Sequence, residues 1–81
     1  MENDLILNID KLHTTSMGVD RIKRNLQISC DDVVQYCHDI IMSSDALIDR
    51  NGKNWYIYFG NITITVNAHS YTIITAHKNK K

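Results

Sequence analysis

The chain has 81 residues, nine basic and nine acidic, and a formal net charge of zero. That length supports one core near the lower limit for a single domain, and the balanced charge excludes a general nucleic-acid or membrane-surface binder, leaving room only for a local patch. The apolar share of 43% is ordinary for a globular chain, and zero net charge in so small a protein favours association with a partner.

No apolar run is long enough to cross a bilayer, and Glu2 and Asp4 oppose the basic start of a secretory signal. Cys30 and Cys37 fall seven apart on one expected helix, roughly 10 Å between Cα atoms and too far for a disulfide. Reduced cysteines and the missing signal lead us to expect a cytoplasmic protein. There is no proline, repeat, linker or low-complexity segment.

In chain order, Leu5, Ile6, Ile9 and Leu12 recur at helical spacing, which predicts a first helix over residues 3–12 capped by Asn3 or Asp4. Thr15 or Ser16 caps a second helix over 16–26, with Val19, Ile22 and Leu26 inward and Asp20, Arg21, Lys23 and Arg24 outward. Ser29 opens a third helix over 30–42, with acids in its first turn and Val33, Val34, Cys37, Ile40 and Ile41 as its apolar stripe. Four strands follow, over 46–50, 53–59, 62–67 and 71–77, and then a basic tail, Lys78 to Lys81. The predicted architecture is α+β: about three helices covering one face of a four-stranded antiparallel meander.

Turn chemistry sets an expected register. Asn51-Gly52 fits a type I′ loop and Gly60-Asn61 a type II′ loop. Ile48 then stands opposite Trp55 and Ala46 opposite Ile57. Trp55, Ile57 and Phe59 meet Val66, Ile64 and Ile62, and these three in turn meet Tyr71, Ile73 and Thr75. All fall on one face, because strand side chains alternate. The other face collects Leu47, Asp49, Asn54, Tyr56, Tyr58, Thr63, Thr65, Asn67, Thr72 and Ile74, and is expected to be open to solvent.

The runs Val19 to Leu26, Gly52 to Ile57, Ile62 to Asn67 and Tyr71 to Ala76 carry a resemblance. Together they resemble the small bacterial family of domains of unknown function numbered 3781, whose blocks are an "ERI-K-NL" helix, a "GKN-aromatic-Y" strand, an "ITVN" strand and a "YxIIT" strand. The resemblance spans most of the chain. It implies a compact cytoplasmic bacterial domain and transfers no activity. The element order is also similar to that of RelE-like toxin ribonucleases, a likeness of fold that maps no catalytic group.

Candidate sites are few. His13, His38, His69 and His77 show no metal-ligand spacing, and no cofactor motif is present, so neither metal nor cofactor is expected. Asp49, Asn54, Asn67 and Ser70 share one end of the outer face, with Lys53 and His69 beside them. Such a group can hold phosphate or transfer protons, although turn chemistry alone also accounts for Asn and Asp there. Tyr56 and Tyr58 beside Thr63 and Thr65 suit a protein interface or base stacking, and equally suit ordinary cross-strand pairing. Arg21, Lys23 and Arg24 with Lys78, Lys80 and Lys81 would contact phosphates if they converged. Asp31, Asp32 and Asp39 read as capping and surface acids.

The leading expectation is a non-enzymatic interaction module that binds another protein through Tyr56, Tyr58, Thr63, Thr65, Asn67 and Thr72. The alternative is a metal-independent ribonuclease of the toxin type, acting on RNA with Lys53, His69, His77 and Lys78. A third is a homodimer joined through edge strands.

Overall fold

The computed structural model describes residues 4–29 and 31–79. Within them the chain forms α1 (Asp4–Leu7), a 3-10 turn (Ile9–Lys11), α2 (Ser16–Leu26), α3 (Val33–Ile41), β1 (Leu47–Asn51), β2 (Asn54–Phe59), β3 (Ile62–Asn67) and β4 (Ile73–Lys78). The strands make one antiparallel sheet in chain order. Helices first and a four-stranded meander after them is the α+β arrangement expected.

The first helical stretch is broken in two. Asn8 sits between the pieces with φ −116° and ψ 28°. Its backbone N–H and its side-chain Nδ2 both donate to the Asp4 carbonyl, at 3.0 and 2.9 Å. A side chain that competes for the backbone in this way ends a helix. Leu5 in α1 and Leu12, just past the 3-10 turn, are still buried. Asn3, the other expected cap, lies outside the described residues.

Thr15 caps α2, its Oγ1 accepting from the Gly18 N–H at 3.0 Å. Ile22 and Leu26 are buried and Val19 half-buried, as their spacing required. The helix stops because Gln27 turns left-handed (φ 57°, ψ 47°), so that its N–H and that of Ile28 both reach the Lys23 carbonyl. For α3, Asp32 replaces the expected Ser29 as cap. Its Oδ1 accepts from the Gln35 N–H at 3.0 Å, and the helix begins at Val33, not at residue 30. That start places Val33, Cys37, Ile40 and Ile41 together in the core. Cys30 lies outside the described residues.

Two hairpins depart from the expected register, β1–β2 by two residues and β3–β4 by two and then, past a bulge, by three. In β1–β2 the loop is Gly52-Lys53: Asn51 pairs with Asn54, Arg50 with Trp55 and Ile48 with Ile57. Only Gly52 has positive φ (64°) there, which suits type II′ and not the expected type I′. β2–β3 pairs as predicted, Trp55 with Val66, Ile57 with Ile64 and Phe59 with Ile62, around Gly60 at φ 59°. In β3–β4, Val66 pairs with Ile73, not Tyr71. The register then shifts between Thr65 and Val66, so that Thr75 pairs with Thr65 and Ala76 with Ile64. Ile74 is the extra residue of a β-bulge. Thr75, expected on the core face, therefore joins the outer face, and Ala76 takes its place in the core.

The core lies between the helices and the inner sheet face. Leu5, Ile22, Leu26, Val33, Cys37 and Ile41 meet Ile57, Ile64, Val66 and Ile73 there, all essentially without solvent contact. Each large aliphatic side chain buried this way contributes about 1.5–3 kcal/mol. α2 lies closest to the sheet, against β4. Thr14, just before it, donates its hydroxyl to the Ile73 carbonyl at 2.9 Å. Gly18 is buried against that threonine, and a Cβ at Gly18 would collide with Thr14 Oγ1.

Two outcomes follow for stability in urea unfolding. Gln27→Gly relieves the left-handed backbone at an exposed position and raises stability by about 0.5–1 kcal/mol. Gly18→Ala lowers stability despite the helix preference of alanine of about 1 kcal/mol, and the loss shrinks in a Thr14→Ala background, a coupling of at least about 0.5 kcal/mol.

Candidate functional site

The end of the sheet that carries the Gly52-Lys53 turn holds an open cleft of about 600 Å³, lined by Arg50, Lys53, Asn67, Ala68, His69 and Ser70. One wall is the β1–β2 turn and the other is the loop from β3 to β4. The Ala68 N–H donates to the Lys53 carbonyl at 2.8 Å and fastens the two walls together.

Asn67 shapes the loop. Its Oδ1 accepts from the His69 and Ser70 N–H groups at 2.8 and 2.9 Å and from the Ser70 hydroxyl at 3.2 Å, while its carbonyl accepts from the Tyr71 N–H at 2.8 Å. This wraps the chain into a turn around one side chain and leaves Tyr71 left-handed at φ 60°. The far end of the loop is held by the N-terminal segment. The His13 N–H donates to the Tyr71 carbonyl and the His13 carbonyl accepts from the Ile73 N–H at 2.7 Å, a parallel bridge along the edge of β4.

Arg50 occupies the turn side. Its guanidinium lies 5.3 Å from the centre of the Trp55 ring, and its Nε donates to the Gly52 carbonyl at 3.0 Å. The ring holds the planar group flat. Trp55 itself is buried, and its Nε1 has no hydrogen-bond partner among the described residues. Among the described residues the ionisable side chains that line the cleft are Arg50, Lys53 and His69, with no carboxylate.

Four of the residues expected at this end, Lys53, Asn67, His69 and Ser70, do line the cleft. Asp49 and Asn54 do not: Asp49 pairs with Tyr56, and Asn54 Nδ2 approaches the Tyr56 hydroxyl at 3.4 Å. Arg50 also lines the cleft and was not among the residues expected there; its nearness in sequence to the Asn-Gly pair was the available signal. His77 and Lys78 pair with Thr63 and Ile62 at the opposite end of the sheet. Five strand residues, about 17 Å, separate that end from Asn67, so the structure does not bring Lys53, His69, His77 and Lys78 together.

The outer face is only partly open. Thr63 and Thr65 are 7% and 8% exposed, because neighbours on the same face close over them. Thr63 donates to Asn79 Oδ1 at 2.8 Å, and Asn25 of α2 reaches Thr75 at 3.4 Å. Thr72 is engaged by Ser70 at 2.8 Å and by His13 Nε2 at 3.0 Å. Of the six residues expected to form a binding face, Tyr58 is exposed and Tyr56 half-exposed, while Thr63, Thr65, Asn67 and Thr72 are occupied within the fold. Leu47, 70% exposed, pairs directly with Tyr58 and belongs with it.

Arg21 and Arg24 are exposed beside Met17 and Asp20, and Lys80 and Lys81 lie outside the described residues. His38 sits 3.4 Å from Asp39 on α3, and Asp39 also accepts from Gln35 at 2.8 Å. Among the described residues no three His, Cys, Asp or Glu side chains come close enough to hold a metal ion, and no helix is long and apolar enough to cross a membrane.

Residues 6–77 match the model of the family described as "Protein of unknown function (DUF3781)". The match covers most of the chain, which therefore belongs to that family, as the four sequence blocks indicated. No curated protein and no solved structure matches the chain, so the likeness to RelE-like ribonucleases rests on element order alone.

Asn67→Ala removes the acceptor for three donors of the loop and costs about 1–3 kcal/mol. Asn67→Asp keeps the acceptors and costs less. Hydrogen exchange at the His69 and Ser70 amides distinguishes the two, with fast exchange in the alanine variant only.

Proposed function

We propose that this protein is a non-catalytic interaction module, and that the β1–β2 half of its outer sheet face binds another protein. The observation that carries this reading is the Leu47–Tyr58 pair. The two side chains stand directly across from one another, 70% and 40% exposed, with Tyr56 one row further along. An aliphatic side chain beside tyrosines, with Asp49 and His77 at the margins, has the composition of an interface centre with a polar rim.

A protein occupant fits better than a nucleic acid. Leu47, Tyr58 and Tyr56 carry no positive charge, and nucleic-acid affinity comes largely from cations on phosphates. β1 is also an edge of the sheet, since it pairs only with β2. A partner can contact its open backbone as well as the adjoining face. The ribonuclease alternative has less support, because its two candidate histidines lie at opposite ends of the sheet.

The test is site-specific photocrosslinking in the native host, with the reactive group at position 47 or 58 and a control at exposed Arg24. The expected result is one defined protein adduct from 47 and 58, resistant to nuclease and absent from 24. Leu47→Asp then weakens binding of that protein by about tenfold or more. Equal adducts from all three positions, or an adduct removed by nuclease, would overturn the reading. An adduct of twice the chain's own mass would replace the foreign partner with a second copy.

A further inference from the structure

We propose that the cleft between the Gly52-Lys53 turn and the β3–β4 loop is a binding site for a phosphate monoester, carried on a molecule of about nucleotide size. This site is separate from the Leu47–Tyr58 surface, so each reading stands or fails without the other.

The charge of the lining is the first argument. In a chain with nine acids and nine bases, the lining of this cleft among the described residues carries two cations, Arg50 and Lys53, beside the His69 imidazole, with no carboxylate. Cations gathered without counter-charge in a concave site raise the local concentration of anions.

The second argument is the direction of the donors. The Nε of Arg50 is committed to the Gly52 carbonyl and its plane is held on Trp55. What remains is the pair of terminal nitrogens, which suits two oxygens of one anion. Asn67 uses its Oδ1 on the loop, which leaves its amide NH₂ as the part that can turn to a ligand. Lys53 and His69 stand on opposite walls, held at a fixed spacing by the Ala68–Lys53 hydrogen bond. Donors on two walls of one cleft suit the three oxygens of a phosphate in three dimensions. A carboxylate, with two oxygens in one plane, would be satisfied by the arginine alone.

Size is the third argument. A volume of about 600 Å³ falls within the range of roughly 300–1,000 Å³ typical of small-molecule sites. It exceeds what an isolated ion occupies and leaves room for the group that bears the phosphate. The loop is already held by Asn67 and His13, so little ordering is needed on binding.

Trp55 is the only tryptophan in the chain, and it lies under Arg50, so its fluorescence reports any ligand that draws on that guanidinium. The experiment titrates the full chain with adenosine monophosphate, inorganic phosphate and adenosine, reading tryptophan emission and, for binding silent to it, ³¹P line width. Adenosine monophosphate is expected to give a saturable change and adenosine none. Lys53→Met and His69→Gln, both at exposed loop positions, each weaken binding by about tenfold, while Lys78→Met at the opposite end leaves it unchanged. Weaker binding of inorganic phosphate than of the ester supports a phosphorylated molecule, and equal binding makes the free ion the ligand of the same donors. No saturable signal at millimolar concentration in either readout overturns the proposal. So does an equal response to adenosine, or undiminished binding in both Lys53→Met and His69→Gln.

Discussion

Trp55, Ile57 and Phe59 stand opposite Val66, Ile64 and Ile62 across the β2–β3 hairpin, and Ile57, Ile64 and Val66 have no solvent contact at all. A slip of one residue there would turn Tyr56, Tyr58, Thr63 and Thr65 toward the helices and the aliphatic side chains toward water. Each buried hydroxyl left without a partner would cost about 1–3 kcal/mol, on top of the lost apolar burial. That penalty exceeds anything a local turn preference can return, so the alternation of this central pair governs where β1, β4 and the helices can add.

The same alternation explains what could be read from the residues and what could not. Apolar patterning determines only which face a side chain takes, so it cannot separate registers that differ by two residues. Ile48 and Ile73 were expected on the core face and are there, yet each has a different partner from the one expected. For β1–β2, contacts at the turn decide between the choices. The type I′ loop would have set Arg50 across from Lys53, two like charges at the base of a hairpin. The observed loop sets Arg50 across from Trp55, where the guanidinium gains the ring. The bulge in β4 had no glycine to mark it: Ile74, Thr75 and Ala76 read as plain alternation, and packing beside α2 overrides it.

The N-terminal segment closes one edge of the sheet and in doing so orders the loop that forms the cleft. His13 bonds through its backbone to Tyr71 and Ile73. Its ring lies between the Lys11 carbonyl, 2.8 Å from Nδ1, and the Thr72 hydroxyl, 3.0 Å from Nε2. A carbonyl can only accept, so Nδ1 carries a proton. Beyond Thr72 the contacts continue through Ser70 to Asn67. Residues far apart in sequence thus converge on one loop, an arrangement no local window of sequence contains. β1 has no such cover, and the contrast between a bridged edge and an open one is what makes the Leu47 side the accessible side.

Arg50 joins the cleft to the core. It covers Trp55, whose indole N–H is buried without a partner among the described residues, and it holds the carbonyl of Gly52 in the left-handed first position of the turn. An anion that engages the two free nitrogens would hold the guanidinium more tightly against the ring and the turn. Such a ligand would favour the folded state, because an unfolded chain does not assemble Arg50, Lys53 and His69 around one space. Recognition at the rim and order at the end of the core are therefore two consequences of one side chain, placed by a type II′ turn whose left-handed position falls to a glycine.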